Sequence, residues 1–108
     1  KTYDKIYFDL VFSACNLQLL YRDQKNVGSA NKLSSVAVRY LPKAIQNYKQ
    51  NSYKNCMINV NRKYEYIINT LKKHYVPTLP AEKKQEVMKV LNSCQNSISV
   101  GDYADFDI

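Results

Sequence analysis

The segment from Tyr53 to Tyr75 decides the fold class, and it reads YKNCMINVNRKYEYIINTLKKHY. Its apolar residues recur at spacings of three and four, which places them on one side of an α-helix and the basic and amide residues on the other. The apolar side comprises Cys56, Met57, Val60, Tyr64, Ile67, Ile68, Leu71 and Tyr75. The spacing therefore predicts a helix with one buried side and one basic side.

A first helix is predicted from about Tyr3 to Arg22, upstream of this segment. One apolar stripe there comprises Ile6, Leu10, Ala14, Leu17 and Tyr21, and the opposite side is also apolar through Phe8, Val11, Phe12, Cys15 and Leu19. A helix that is apolar on both sides is either central in a bundle or docked on a partner. We expect one of these two roles for it.

Two more helices complete the prediction. After a polar connection, Asp23 to Gly28, an apolar stripe runs from Leu33 to Tyr48 and keeps its phase through Pro42, which predicts a single kinked helix. The stretch Val76 to Pro80 is a stop signal, with Thr78 as the predicted cap and Pro80 in the first turn of a fourth helix. That helix is predicted to turn Val87, Val90, Leu91, Cys94 and Ile98 inward.

The size and composition agree with one helical domain. The chain has 108 residues, 45% of them hydrophobic, with only two glycines and three prolines, too few turn-forming residues for a many-stranded β fold. Short connections between successive helices favour antiparallel neighbours. We therefore predict an all-α fold, an up-down-up-down four-helix bundle over residues 1–100, followed by a short acidic C-terminal tail over residues 101–108.

The charge is strongly positive and unevenly distributed. Lys and Arg number 16 against nine acids, a net charge of +7, whereas the tail carries three aspartates and no base. The stretch between Gln24 and Tyr64 contains no acid and eight bases, namely Lys25, Lys32, Arg39, Lys43, Lys49, Lys54, Arg62 and Lys63. A field of one sign steers association with negative surfaces, so these eight residues are the predicted partner-binding site. The alternative is a basic surface that only serves solubility.

The residues do not favour catalysis or a metal site. His74 is the only histidine, and the two glycines cannot form a phosphate-binding loop. The three cysteines, Cys15, Cys56 and Cys94, are far apart and each falls on an apolar stripe. They are expected to be buried thiols, although a disulfide between any two remains open. We predict no enzymatic activity and no cofactor.

Nucleic acid is a less favoured partner than an acidic protein surface. Ten tyrosines among basic residues are compatible with stacking on bases, but only three of the 16 bases are arginine. The longest apolar run, Ile6 to Cys15, is too short to cross a bilayer, so no transmembrane segment is expected. The first residue is Lys1 rather than Met, which hints at a processed mature chain.

The end of the third predicted helix and the start of the fourth carry a resemblance to a known family. The residues are Asn69-Thr70-Leu71-Lys72-Lys73-His74-Tyr75, then Pro77, Leu79-Pro80 and Glu82-Lys83-Lys84. This pattern resembles the photosystem II four-helix proteins of the thylakoid lumen: the PsbQ-like extrinsic subunits, the lumenal assembly factor and the diatom extrinsic protein. The similarity extends over about residues 40–99.

The resemblance implies a non-enzymatic extrinsic or assembly subunit that docks on the lumenal face of photosystem II and supports oxygen evolution. It also implies a location in the thylakoid lumen, peripheral to the membrane. Two other kinds of function stay open: a small helical inhibitor or immunity-type protein and, less favoured, a nucleic-acid-binding bundle.

Overall fold

A computed structural model describes the backbone of residues 2–51 and 57–99, with side chains described within 6–47 and 60–98. It contains four α-helices: α1 (Thr2–Asp23), α2 (Val27–Asn51), α3 (Met57–His74) and α4 (Ala81–Ser99), with a 3₁₀ turn at Val76–Thr78. No strand occurs in the described ranges, which confirms the predicted all-α, four-helix class. The tail over 101–108 and the predicted start of the third helix at Tyr53 to Cys56 lie outside the described residues.

Each helix packs against two others. α1 and α4 both contact α2 and α3, so α2 and α3 occupy opposite positions in the bundle. α1 and α2 run antiparallel, because Arg22 near the end of α1 bonds to Asn31 near the start of α2, and Tyr7 stacks on Tyr40. The complete up-down-up-down order stays a prediction.

The α1–α2 pair is the most extensive helix contact, and small side chains account for it. Ala30, Ala37 and Ala44 recur every seven residues along α2 and are all fully buried. Residues at this spacing share one side of a helix, and a methyl group allows a neighbouring helix to approach closely. The alanine seam therefore holds α1 and α2 together as one hairpin.

The core follows the predicted pattern in α3 and α4. Tyr64, Ile67, Ile68 and Leu71 are at most 1% exposed. From α4, Val87, Leu91, Cys94 and Ile98 are buried against them, as predicted. Burying one such aliphatic side chain contributes about 1.5–3 kcal/mol.

α2 is one continuous helix through Pro42, in agreement with the unbroken phase of its apolar stripe. Leu41 and Ala44, on either side of this proline, are both fully buried, whereas Pro42 itself is exposed. The proline ring therefore lies at the surface and takes no part in the core.

The connection between α1 and α2 is shorter than predicted, and helix capping explains the difference. Lys25 adopts φ = 64°, and the amide of Asn26 donates to the carbonyl of Tyr21 over 2.8 Å, which closes α1 with a Schellman-type turn. The Asn26 side chain then accepts a hydrogen bond from the amide of Ser29 over 3.2 Å. Asn26 thus caps α2, and Gly28 lies inside the first turn of this helix rather than in the connection.

The start of α4 also differs from the prediction. The amide of Lys84 donates to the carbonyl of Pro80, so Pro80 precedes the helix and is not part of its first turn. The Thr78 hydroxyl donates to the carbonyl of Tyr75 over 2.6 Å instead of capping α4. Thr78 therefore closes the end of α3 and has no capping role at α4.

The structure shows which of the two apolar sides of α1 is buried, a choice that the sequence left open. Ile6, Leu10 and Leu17 are exposed, and the buried side of α1 consists of Val11, Ala14, Cys15 and Gln18. Both sides of this helix are apolar, so periodicity alone could not select the inward one. The alanine seam of α2 selects it, because the seam meets only one side of α1.

Candidate functional site

An exposed apolar stripe runs along the outside of α1. Ile6, Leu10, Leu17 and Leu20 are 51%, 39%, 42% and 57% exposed. Together with Ser13 they follow spacings of four, three, four and three, the pattern by which one helix presents a seam to another. We call the surface formed by Ile6, Leu10, Ser13, Leu17 and Leu20 the α1 face.

A basic and aromatic edge lies on the α3 side of α1, where Asp9 and Asn16 separate it from the α1 face. The Lys63 ammonium lies over two rings of α1, 5.9 Å from the centre of Phe8 and 5.8 Å from that of Phe12. The rings stack on each other with centroids 5.4 Å apart. Attraction between the cation and the ring faces holds this lysine beside α1, while its charge remains exposed to solvent.

A shallow groove of about 310 Å³ follows this edge and is lined by Phe12, Asn16, Arg62, Lys63 and Tyr66. The Tyr66 hydroxyl donates to the Asn16 amide oxygen over 2.7 Å, and its ring meets that of Phe12 edge to face. These contacts order the ring of Tyr66, which is still 41% exposed. The groove thus offers aromatic surface and two cations within one small area.

A second basic edge borders the α1 face on the side of α2. The ammonium of Lys43 lies 5.3 Å from the ring centre of Tyr7, which itself stacks on Tyr40. The α1 face is therefore apolar along its middle, with a ring-seated lysine on each side. Asp9 is also exposed on α1, so the surface is not uniformly positive.

The structure separates the predicted partner-binding residues into groups. Lys25 lies in the α1–α2 turn, and Lys32, Arg39 and Lys43 are exposed along the outer side of α2 at spacings of seven and four. Arg62 and Lys63 are on α3, which lies across the bundle from α2. The side chain of Lys49, near the end of α2, and all of Lys54 lie outside the described residues.

A polar cluster at one end of the α1–α2 hairpin escaped the sequence analysis. The Arg22 guanidinium donates to Gln18 through Nε and to Asn31 and Ser34 through Nη2, at 3.0 and 3.2 Å for the last two. Ser34 donates to Gln18, and Asn31 donates to Thr78. Gln18 and Ser34 are fully buried, and burial lowers the pKa of Arg22. In the sequence, Gln18 and Arg22 are four residues apart, which places them on the same side of α1 and could have indicated this cluster.

The remaining chemistry is that of buried thiols. Cys15 and Cys94 are free, and burial raises the pKa of each to about 11. Both are therefore protonated at neutral pH and poor nucleophiles. Cys56 lies outside the described residues. Within the described ranges, no three His, Cys, Asp or Glu side chains are placed to hold a metal ion.

Comparisons with protein families, with curated proteins and with solved structures find no match. None of them links the chain to the photosystem II extrinsic proteins. None of the helices, over the residues described, combines the length and apolar character that a membrane span requires.

Proposed function

We propose that this chain is a non-enzymatic docking module that binds an acidic protein surface through the α1 face. The observation that carries the proposal is the exposed apolar stripe of α1 between Lys43 and Lys63, each seated on aromatic rings. Stable protein interfaces have an apolar centre surrounded by a polar rim. The surface of the partner that fits the α1 face is therefore an apolar ridge or helix with carboxylates on both sides.

The two parts of this surface have different tasks in binding. Apolar side chains such as Leu17 and Leu20 lose water on contact and lengthen the life of the complex. The lysines and Arg62 at the edges raise the rate of encounter with a negative partner. Since charges are screened over about 8 Å at physiological ionic strength, the rate should fall as salt is added.

The test uses the immobilised chain and an extract of the cells that contain it. Proteins retained at low salt and released at high salt are quantified by mass spectrometry for the wild type, Leu17→Ser/Leu20→Ser and Lys43→Gln/Arg62→Gln/Lys63→Gln. The matched control is Lys83→Gln/Lys84→Gln/Lys89→Gln, with the same change in charge on α4, away from the α1 face. We expect one protein to be lost with both α1-face variants and kept with the control.

The captured protein is then purified and its association is followed at increasing salt. The triple charge variant should slow association more than it speeds dissociation, whereas the leucine variant should mainly speed dissociation. Equal retention by all variants, or binding indifferent to salt, would contradict the proposal.

Photosystem II gives the specific version of this proposal that follows from the resemblance around His74 and Tyr75. In that version the partner is the lumenal side of a membrane complex, and the chain supports oxygen evolution. Photosystem II particles washed with high salt should bind the chain and regain oxygen evolution. Failure of this experiment removes photosystem II as the partner and leaves docking by the α1 face to the capture test.

The two other functions make different predictions for the same surface. An inhibitor or immunity-type protein would capture an enzyme or toxin whose activity falls in proportion to the bound chain. A nucleic-acid-binding bundle would retain oligonucleotides through Tyr66, Arg62 and Lys63, with affinity that depends on salt. A labelled single-stranded oligonucleotide is therefore titrated with the wild type and with Tyr66→Ala. Binding that is weakened by Tyr66→Ala would indicate a nucleic-acid-binding bundle rather than protein docking.

A further inference from the structure

A cleft lies between α2 and α4, on a different side of the bundle from the α1 face. Its larger part has a volume of about 390 Å³, with Pro42, Ile45, Val90, Ser93 and Cys94 among its lining residues. A smaller part of about 180 Å³ adjoins it and shares Val90. Along α4 the lining extends from Lys83 to Ser97, about 21 Å at the helical rise per residue.

Small side chains explain why the cleft is open. α4 presents Ser93, Cys94 and Ser97 toward α2, and α2 presents the compact ring of Pro42. Ile45 and Val90 are the larger apolar side chains of the lining. Clefts of a few hundred Å³ between bundle helices are frequent sites for small ligands.

The two ends of the cleft differ in chemistry. The larger part has mainly apolar walls, formed by Ile45, Val90 and Cys94. The smaller part contains Arg39 and Lys83, one cation from each helix, together with the carboxylate of Glu86. This end therefore carries a net positive charge, and a guanidinium can bind a carboxylate with two parallel hydrogen bonds.

We propose that this cleft binds an amphipathic anion, a molecule with a carboxylate head and an unbranched alkyl chain. The head binds Arg39 and Lys83, and the chain lies along Val38, Val90 and Ile45 toward Cys94. A positively charged head would be repelled by the net positive charge of this end, and a neutral one would gain no attraction from it. The proposal does not rest on docking by the α1 face, since no residue of α1 lines the described cleft.

The experiment titrates sodium dodecanoate, below its micelle concentration, into the full chain and follows the heat of binding. Dodecyltrimethylammonium serves as the positively charged comparison. We expect one dodecanoate per chain and no saturable binding of the cation. Arg39→Gln/Lys83→Gln should weaken the affinity about fivefold, the result of losing two solvent-screened charge contacts. Lys84→Gln/Lys89→Gln removes the same charge outside the cleft and should leave the affinity unchanged.

A cleft-filling variant and a map of the binding site make the test decisive. Ser93 is exposed at the mouth of the cleft, so Ser93→Phe should abolish binding and keep the helical circular dichroism of the wild type. Backbone amide chemical shifts should move at Ile45 and Val90 and stay constant at Leu17. The proposal is overturned if the shifts move at the α1 face instead, if several molecules bind each chain, if both charge variants bind alike, or if Ser93→Phe still binds.

Discussion

At the scale of single residues, Arg22 makes three side-chain hydrogen bonds, two of them to α2. Its guanidinium bonds to Gln18, Asn31 and Ser34, and two of these residues are fully buried. Arg22→Ala removes three hydrogen bonds from this cluster and leaves the buried Gln18 oxygen with the bond from Ser34 alone, so we expect a loss of about 2–3 kcal/mol of unfolding free energy, measured by urea denaturation. Arg22→Lys should recover only part of this loss, because a single ammonium cannot reproduce the forked geometry.

The control for Arg22 is Arg62→Ala, which removes the same type of side chain from an exposed position. It should change stability by no more than about 0.5 kcal/mol. Equal losses for the two alanine variants would show that the polar cluster does not stabilise the hairpin.

Lys25 affects stability through its backbone conformation. Its φ of 64° lies in the left-handed region, which disfavours a side chain with a Cβ and suits glycine. Lys25→Gly should therefore raise the thermal midpoint, with a gain of about 0.5–1 kcal/mol after allowance for the greater freedom of glycine in the unfolded chain. Lys32→Gly, inside α2, is the matched comparison and should lower the midpoint. A lower midpoint for Lys25→Gly would contradict the turn geometry described above.

At the scale of elements, the alanine seam determines how α1 and α2 pair. Ala37 is fully buried at the centre of the seam, with Ala30 and Ala44 seven residues to either side. Ala37→Leu has no space for three added carbons unless the helices separate, so we expect a loss of about 1–3 kcal/mol in chemical denaturation. Ser35→Leu adds a similar volume at an exposed position of α2 and should cost much less. Similar losses would mean that the hairpin tolerates a wider separation than the seam allows.

At the scale of the whole molecule, the two buried thiols connect global stability to alkaline pH. Burial raises the pKa of Cys15 and of Cys94 from 9.0 to about 11, so the folded chain holds these protons more tightly than the unfolded chain. The contribution of the two protonated thiols to the free energy of unfolding is complete below pH 9 and is lost as the pH rises to about 11. The free energy of unfolding should therefore fall over this range, as measured by urea denaturation at several pH values.

Other groups also titrate between pH 9 and 11, so the thiol contribution is isolated with Cys15→Ala/Cys94→Ala. This variant should be less stable at pH 8, because it empties two core positions, but its stability should fall less steeply with pH. Parallel slopes for wild type and variant would exclude the thiols as the cause. The native chain should also react slowly with a thiol reagent at Cys15 and Cys94.

The sequence by itself determined the helical class and the buried sides of α3 and α4. In these helices only one side is apolar, so the period of three and four leaves a single solution, and Leu71 and Leu91 are buried where it places them. The continuity of α2 through Pro42 followed from the same pattern. The excess of basic residues was equally evident from the chain, as was the lack of acidic residues between Gln24 and Tyr64.

Only the tertiary structure decided which side of α1 is buried and how the basic residues are grouped. Both sides of α1 are apolar, and the choice depends on the fit of α1 against Ala30, Ala37 and Ala44 of another helix. Lys43 and Lys63 are 20 residues apart in sequence, and they border one surface because α2 and α3 both pack against α1. The periodicity of a sequence indicates which side of a helix is apolar. Whether a lysine lies over an aromatic ring of another helix depends on how the helices pack. That packing is a property of the assembled bundle.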